Sequence, residues 1–150
     1  MAVRDIARKN VVTGSPDESV AEVVRQLHKN EVNSMIIVED GKPQGLVGHR
    51  DVSKALLDSE FDAETTPIGE FLRGDPVTVD ADEGIYDLVD LLSDEGLRRV
   101  PVVEDGELVG IISVSDVVVL LGMELQHVAN AIRSSSPAYE RSGAEFYERG

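Results

Sequence analysis

One short segment combines hydroxyl and carboxylate side chains where a strand is predicted to give way to a helix. It runs from Gly110 to Val117 and holds Ser113 and Asp116 three residues apart. A carboxylate at such a corner can accept two hydrogen bonds from a ribose diol, and a helix N-terminus favours phosphate oxygens. A simpler interpretation is that Ser115 caps the helix and Asp116 complements its dipole. On this segment alone the capping interpretation is preferred.

Two adjacent arginines, Arg98 and Arg99, stand where the chain enters a predicted buried strand. Arginine suits bidentate phosphate contacts. The alternative is a pair of surface arginines that bridge to carboxylates, a contact of little energetic value. The sequence leaves both interpretations open. Arg50 is a second source of positive charge, and it stands beside another aspartate, Asp51.

Residues suited to catalysis are scarce. The chain has no cysteine, which excludes disulfides, thiolate nucleophiles and zinc-thiolate sites. The three histidines, His28, His49 and His127, stand in unrelated sequence contexts, which argues against a catalytic triad or a metal cluster. The sequence therefore predicts a protein that is not an enzyme and has no metal site.

The chain consists of two copies of one unit. A shift of 65 residues aligns Val3–Leu57 with Ile68–Gly122 without a gap, and 15 of the 55 pairs are identical. Val38–Gly41 recurs as Val103–Gly106, and other pairs exchange one aliphatic residue for another, such as Ile37/Val102 and Leu46/Ile111. The repeat indicates duplication, with the copies related by a pseudo-two-fold axis.

Each copy predicts the order β-α-β-β-α. In the second copy, Pro76–Val79 is β-prone, Asp80–Glu83 is expected to cap a helix, and that helix should stop at Gly96. Asp105–Gly106 is a strong hairpin signal, and Leu108–Ser113 is the expected return strand. The fold class is therefore α/β (α+β), with two small mixed sheets flanked by helices.

These elements divide the chain into four parts. Residues 1–60 form the first repeat, 61–67 a short polar linker, and 68–133 the second repeat with an extended C-terminal helix. Residues 134–150 form a tail, which is either a disordered end or a docking arm that carries most of the aromatic residues.

The composition restricts the partners. The formal net charge is -15, and the ten arginines far outnumber the four lysines. Nucleic acid and anionic membranes need a basic surface, so neither is expected. High acidity with little lysine favours a salt-adapted protein over an ordinary acidic one. No apolar run is long enough for a transmembrane helix or a signal peptide, and a cytoplasmic location is expected.

The combined pattern resembles a tandem pair of cystathionine-β-synthase (CBS) domains, the Bateman module. The resemblance rests on the duplication, on Val100–Val103, on the Asp-Gly hairpin and on the segment with Ser113 and Asp116. It implies a sensor of adenosine-containing ligands such as AMP, ADP, ATP or S-adenosylmethionine. It also implies a homodimer and a signal passed in trans to another protein.

The resemblance assigns roles to residues of the second copy. Asp116 would hold the ribose hydroxyls, Ser113 would assist, and Arg98 or Arg99 would reach phosphate. The base would lie along a set of residues in the first and second strands of that copy: Thr78, Val79, Val100, Pro101 and Val102.

The first copy departs from this pattern. Asp51 persists, with Arg50 and Thr13 as further candidates, but Gly48 replaces the hydroxyl residue and Ile36 replaces the proline. We therefore expect the Asp116 site to bind more tightly than the Asp51 site. Two other functions stay open: a purely structural or oligomerisation module with empty clefts, and a small enzyme acting on a nucleotide.

Overall fold

The chain folds into two three-stranded sheets with accompanying helices, which confirms the predicted pair of β-α-β-β-α repeats. The structure, a computed structural model, describes residues 1–72 and 74–135. In each sheet the first strand is parallel to the second, and the second is antiparallel to the third. The strands are β1 (Thr13–Gly14), β2 (Ser34–Glu39), β3 (Lys42–Gly48), β4 (Val79–Asp80), β5 (Arg99–Glu104) and β6 (Glu107–Ser113). The helices are α1 (Val20–Lys29), α2 (His49–Asp58), α3 (Ile85–Glu95) and α4 (Val114–Ser135), with short 3-10 helices at Val3–Asp5 and Ile68–Phe71.

Helix α1 follows directly from its sequence. The Ser19 side chain accepts a hydrogen bond from the Glu22 backbone N–H at 3.1 Å, which satisfies one of the free donors of the first turn. Val20, Val23 and Leu27 recur at helical spacing and are all buried. One face of the helix therefore packs on the sheet, and the other is left to charged residues.

Helix α3 begins later than predicted. Its N-cap is Gly84, which offers no side-chain acceptor, so the expectation that Asp80–Glu83 caps this helix is wrong. The Asp80 carboxylate instead accepts the Asp82 backbone N–H at 2.9 Å within the preceding turn. The helix ends as predicted, because Gly96 adopts the left-handed conformation (φ 64°) that glycine tolerates best.

The two hairpins have the same geometry. Asp40–Gly41 and Asp105–Gly106 all have positive φ, between 51° and 80°, as a two-residue turn with the twist of the flanking strands requires. Each hairpin also has a register shift at the equivalent place, which is Val102/Val103 in the second. The hairpin predictions are confirmed.

The leading segment of each repeat packs on the other repeat. The Val3 backbone N–H donates to the Glu83 carbonyl at 2.8 Å, and the Ile68 N–H donates to the Glu18 carbonyl at 2.7 Å. The two donors are 65 residues apart and so are the two acceptors, but the repeat that donates in one bond accepts in the other. The exchange is therefore reciprocal, as pseudo-two-fold related repeats predict. Both apolar side chains, Val3 and Ile68, are buried.

The core of the first repeat consequently contains residues from both repeats. Its buried members come from α1, β2, β3, α2 and the second 3-10 helix: Val20, Val23, Leu27, Met35, Ile37, Val47, Val52 and Ile68. The predicted polar linker also contributes, since Phe61 and Ala63 pack against this cluster. Phe61 stacks at a tilt on Phe71, with ring centroids 4.8 Å apart.

An ion-pair cluster joins the N-terminal segment to the second repeat. The Arg4 guanidinium contacts the carboxylates of Asp82 at 2.5 Å and Glu104 at 2.8 Å. The hydrogen bonds to Glu104 and then Asp82 raise the pKa of Arg4 above its ordinary value. Because the cluster is exposed to solvent, it adds little to stability.

The chain divides into two compact units, Met1–Val114 and the part that starts at Ser115. Helix α4 begins at Val114, so Ser115 lies inside its first turn, and the interpretation of Ser115 as its N-cap is wrong. The helix continues to Ser135, and residues 136–150 of the predicted tail lie outside the described residues. No helix in the described ranges is long and apolar enough to cross a bilayer.

Candidate ligand-binding site

The open end of the β5–β6 hairpin gathers three of the predicted residues. Arg99 is the register partner of Ser113, so the first residue of one strand lies opposite the last residue of the other. The Arg98 carbonyl accepts the Val114 backbone N–H at 2.8 Å. A guanidinium pair and a hydroxyl thus share one sheet end. Asp116 follows three residues later, in the first turn of α4.

Arg99 also connects the two repeats. Its Nη1 donates to the Ser34 hydroxyl at 3.1 Å, and this bond is partly buried. Ser34 is the residue that corresponds to Arg99 in the first repeat. The Arg99 side chain is therefore held against the equivalent sheet end of the other repeat, whereas Arg98 is exposed.

Asp51 acts as a cap in the first repeat. Its carboxylate accepts the Gly48 backbone N–H at 2.9 Å at the start of α2. The capping interpretation of these aspartates is therefore correct for Asp51. It leaves room for a ligand, because an ionised carboxylate has a second oxygen and further lone pairs. Asp51 is exposed to solvent, as is Arg50 beside it.

The structure explains why glycine replaces the hydroxyl residue in the first repeat. A Cβ atom at Gly48 would lie 2.8 Å from the backbone oxygen of Asn33, closer than real Cβ atoms approach. The Gly48 backbone is extended (φ -130°), so the restriction is steric rather than conformational.

Gly48→Ser is therefore expected to destabilise the protein rather than to restore a ligand-binding hydroxyl. We expect the free energy of unfolding to fall by about 1–3 kcal/mol, because the strand end must shift to admit the new atoms. Urea unfolding followed by circular dichroism measures this change. Wild-type stability with a gain in ligand affinity would contradict the steric explanation.

A cavity of about 340 Å³ lies beside Asp51. Strand β3, helix α2 and four residues that precede β4 (Ile68, Phe71, Leu72 and Pro76) form its walls. Its lining combines apolar side chains with a few charged groups: Val20, Leu46, Val47, Val52, Ile68, Phe71, Leu72, Pro76, Asp51, Lys54 and Asp58. Ligand sites of nucleoside size typically combine a mostly apolar surface with a few polar groups, and this volume is at the lower end of their range.

The other predicted residues are distributed between core and surface. Val79, Val100, Pro101 and Val102 are buried, and Val79 pairs with Val102 across the parallel strands. Thr78 is half-buried and precedes that pair directly. The residues along which the base was predicted to lie are therefore mostly buried in the second sheet.

Thr13 lies in β1, where it is the register partner of Ile36 and is exposed. Thr13 is therefore more exposed than Thr78, the corresponding residue of the second repeat.

Sequence reasoning missed several residues of the Asp51 cavity. Lys54, Phe71 and Pro76 line it, although none of them belongs to the predicted site. Phe71 and Pro76 are in the leading segment of the second repeat, which reaches the cavity through the exchange of segments. Lys54 could have been found, since it follows Asp51 at helical spacing and is one of only four lysines.

Two histidines that stand apart in the sequence are in contact. The rings of His28 and His49 meet edge to face, with centroids 5.1 Å apart. The two residues therefore lie together in the fold although their sequence contexts are unrelated. The β2–β3 hairpin pairs Ser34 with Gly48 and so returns the chain to the end at which α1 stops. Within the described residues, no group of three or more histidine or carboxylate side chains is placed to hold a metal ion.

Two β-α-β-β-α units with a cavity of ligand size define a class of small tandem-repeat modules that can hold a ligand. The CBS domain model matches the chain twice, at residues 3–58 and 68–122. The chain belongs to the CBS-domain family and carries a tandem pair of these domains. Such a pair is a regulatory ligand-binding module, and proteins built from CBS domains alone are typically regulatory rather than catalytic.

Two relatives in sequence are longer than this chain. The chain is 29% identical over 119 residues to the uncharacterized protein MK0525 of Methanopyrus kandleri, covering 78% of this chain and 61% of that one. It is 32% identical over 123 residues to the uncharacterized protein MJ1225 of Methanocaldococcus jannaschii, covering 81% and 43%. The matched region is thus less than two thirds of the length of either relative.

Two solved structures share the fold over nearly their whole length. The CBS domain pair of MJ0100, in complex with 5′-methylthioadenosine and S-adenosyl-L-methionine, is 28% identical with a TM-score of 0.70, covering 83% of this chain and 98% of that one. Hypoxic Response Protein I, with two coordinated zinc ions, is 25% identical with a TM-score of 0.73, covering 79% and 97%. Of these two similar proteins, one holds adenosine compounds and the other holds zinc.

Proposed function

We propose that the chain senses an adenosine-containing nucleotide (AMP, ADP or ATP) and signals its presence in trans to a partner protein. The observation that supports ligand binding most directly is the cavity of about 340 Å³ beside Asp51. The cavity has apolar walls for a base and a carboxylate with acceptor capacity for ribose hydroxyls. The adenosine compounds bound by the MJ0100 domain pair support the same class of ligand.

The second repeat provides the tighter site in this proposal. Asp116 holds the ribose hydroxyls, Ser113 assists, and Arg98 or Arg99 contacts phosphate. The pairing of Arg99 with Ser113 supports this assignment, because a guanidinium and a hydroxyl share one sheet end and Asp116 follows Ser113 by three residues in the sequence. The first repeat lacks both the hydroxyl and the arginines, so its Asp51 cavity is the weaker site.

S-adenosylmethionine is the alternative ligand. It occurs in the MJ0100 complex, and its sulfonium is compatible with a chain of net charge -15. A nucleotide instead needs local positive charge, which Arg98 and Arg99 provide. A structural module with empty clefts is the remaining alternative.

Isothermal titration calorimetry of the wild-type chain with AMP, ADP, ATP, adenosine and S-adenosylmethionine tests the proposal. We expect saturable binding of at least one phosphorylated ligand, tighter than that of adenosine. Preference for S-adenosylmethionine would select the alternative ligand. Absence of heat and of thermal stabilisation with every ligand at about 1 mM would favour the structural module.

We propose that the protein is cytoplasmic, forms a homodimer and is adapted to salt.

Adaptation to salt has a measurable consequence, because 29 carboxylates are balanced by only 14 basic groups and repel one another at low ionic strength. We expect Tm to rise by about 5–10 °C between ~0.1 and ~2 M potassium chloride, as the screening length falls from about 10 Å to a few ångströms. Differential scanning calorimetry measures this shift. A Tm that is flat or falling with salt would contradict the adaptation.

A further inference from the structure

Helix α4 has an exposed apolar seam with a heptad repeat. Its members are three, four, three and four residues apart and are 48–70% exposed: Val118, Leu121, Leu125, Val128 and Ile132. This spacing is the a/d pattern of a coiled coil, in which apolar side chains that recur every 3.5 residues line the contact with a partner helix. The apolar residues of α1 recur at similar spacing but are buried against the sheet, whereas those of the α4 seam are exposed.

We infer that this seam binds the same seam of a second copy of the chain, as a two-stranded coiled coil. The inference specifies the surface of the homodimer suggested above, and it does not depend on ligand binding. Val118, Leu125 and Ile132 occupy the a positions of the heptad, and Leu121 and Val128 occupy the d positions. β-Branched residues at two of the three a positions favour a dimer over larger assemblies.

Charge explains why two such acidic chains meet at this helix. Between Val114 and Ser135 the charged residues are Asp116, Glu124 and Arg133, a formal net charge of -1 (one positive minus two negative) in a chain of -15. Most of the carboxylates that repel a second copy therefore lie elsewhere in the sequence.

The positions that flank the seam are also small. Gly122 and Ala129 follow its d residues, and Ala131 precedes an a residue, so only Glu124 places a charge beside the contact in this stretch. Small neighbours let two helix backbones approach closely. A second copy of α4 has the same period, the same low charge and the same small flanks, so the seam complements itself.

The seam is short, and its strength is limited accordingly. From Val118 to Ile132 it spans about 21 Å at 1.5 Å per residue, or two heptads. We expect a reversible dimer whose population depends on protein concentration in the range of about 1–500 µM. High salt should strengthen it, because apolar contacts persist while repulsion between acidic surfaces is screened.

Sedimentation equilibrium of the full chain in ~2 M potassium chloride tests the seam. Leu125→Glu, at the centre of the seam, is expected to weaken dimerisation at least about tenfold. Met123→Glu is the matched control, since Met123 is also exposed (57%) on α4 but lies off the seam, and its dimer should match wild type. A monomeric wild-type chain, or a Leu125→Glu dimer as tight as wild type, overturns the inference.

A second measurement covers the case in which Leu125→Glu disturbs folding. The chain has no cysteine, so a single Leu125→Cys substitution reports on one contact. We expect rapid disulfide-linked dimers from Leu125→Cys under mild oxidation and slow ones from Met123→Cys. Equal rates overturn the inference. Calorimetric titration with AMP is run on the same samples, so that a failure of ligand binding is recorded separately from a failure of dimerisation.

Discussion

Asp116→Ala should weaken nucleotide binding at the tighter site by roughly 10- to 100-fold, since hydrogen bonds to a charged acceptor contribute about 1.5–3 kcal/mol. In the proposed function this carboxylate accepts the hydrogen bonds of two ribose hydroxyls. Alanine removes both acceptors and leaves the hydroxyls to be desolvated without a partner. The loss should therefore affect adenosine, AMP and ATP to a similar degree.

Two other variants distinguish the two sites from each other and the phosphate contact from the ribose contact. Asp51→Ala changes the equivalent residue of the first repeat, so it should affect only the weaker of the two binding isotherms. Arg98→Ala should weaken AMP and ATP but leave adenosine unchanged, because its role is confined to phosphate. If Arg98→Ala lost affinity for adenosine and for ATP equally, the phosphate role of Arg98 would be refuted. The ribose role of Asp116 would be unaffected by that result.

The stability of each variant must be recorded as well. Asp116 lies in the first turn of α4, where a carboxylate also favours the helix dipole, so Asp116→Ala is expected to cost about 0.5–1 kcal/mol in stability. That cost is too small to unfold the chain. Unchanged nucleotide affinity in a folded Asp116→Ala variant would refute the assignment and restore the capping interpretation.

Local features of the fold could be predicted because they depend on a few neighbouring residues. The Asp-Gly turns need two residues at positive φ, and the stop of α3 needs one glycine in the left-handed region. The start of α3 was predicted wrongly because it also depends on one local residue, the N-cap. Gly84 stands where Ser19 caps α1, so the cap was assigned to acidic residues that lie upstream of the helix.

The exchange of leading segments could not be predicted, because the repeat is compatible with either arrangement. Ile68 has the same apolar character whether it covers its own repeat or the other one. The Asp51 cavity depends on this choice, since Phe71 and Pro76 reach it only through the exchange. The contact between His28 and His49 was missed for a related reason, because it depends on where a hairpin returns the chain.

Ile68→Ala should lower the free energy of unfolding by about 2–4 kcal/mol, the cost of removing a large buried side chain and leaving a cavity. Ile68 is 1% exposed and belongs to the core cluster of the first repeat, although its place in the sequence is at the start of the second. Leu57→Ala is the control, because Leu57 is almost fully exposed and should change stability by less than about 0.5 kcal/mol. Urea unfolding provides both values.

A double-mutant cycle then identifies the repeat in which Ile68 is packed. Val20 and Ile68 share the first-repeat cluster and line the same cavity, so Ile68→Ala and Val20→Ala should couple by about 0.5 kcal/mol or more. Val100 is equally buried but lies in β5 of the second repeat, and Val100→Ala should add independently to Ile68→Ala. Coupling to Val100 rather than to Val20 would mean that each leading segment packs on its own repeat. The Asp51 cavity would then lose the wall that Phe71 and Pro76 provide, and with it the main structural support for a ligand site in the first repeat.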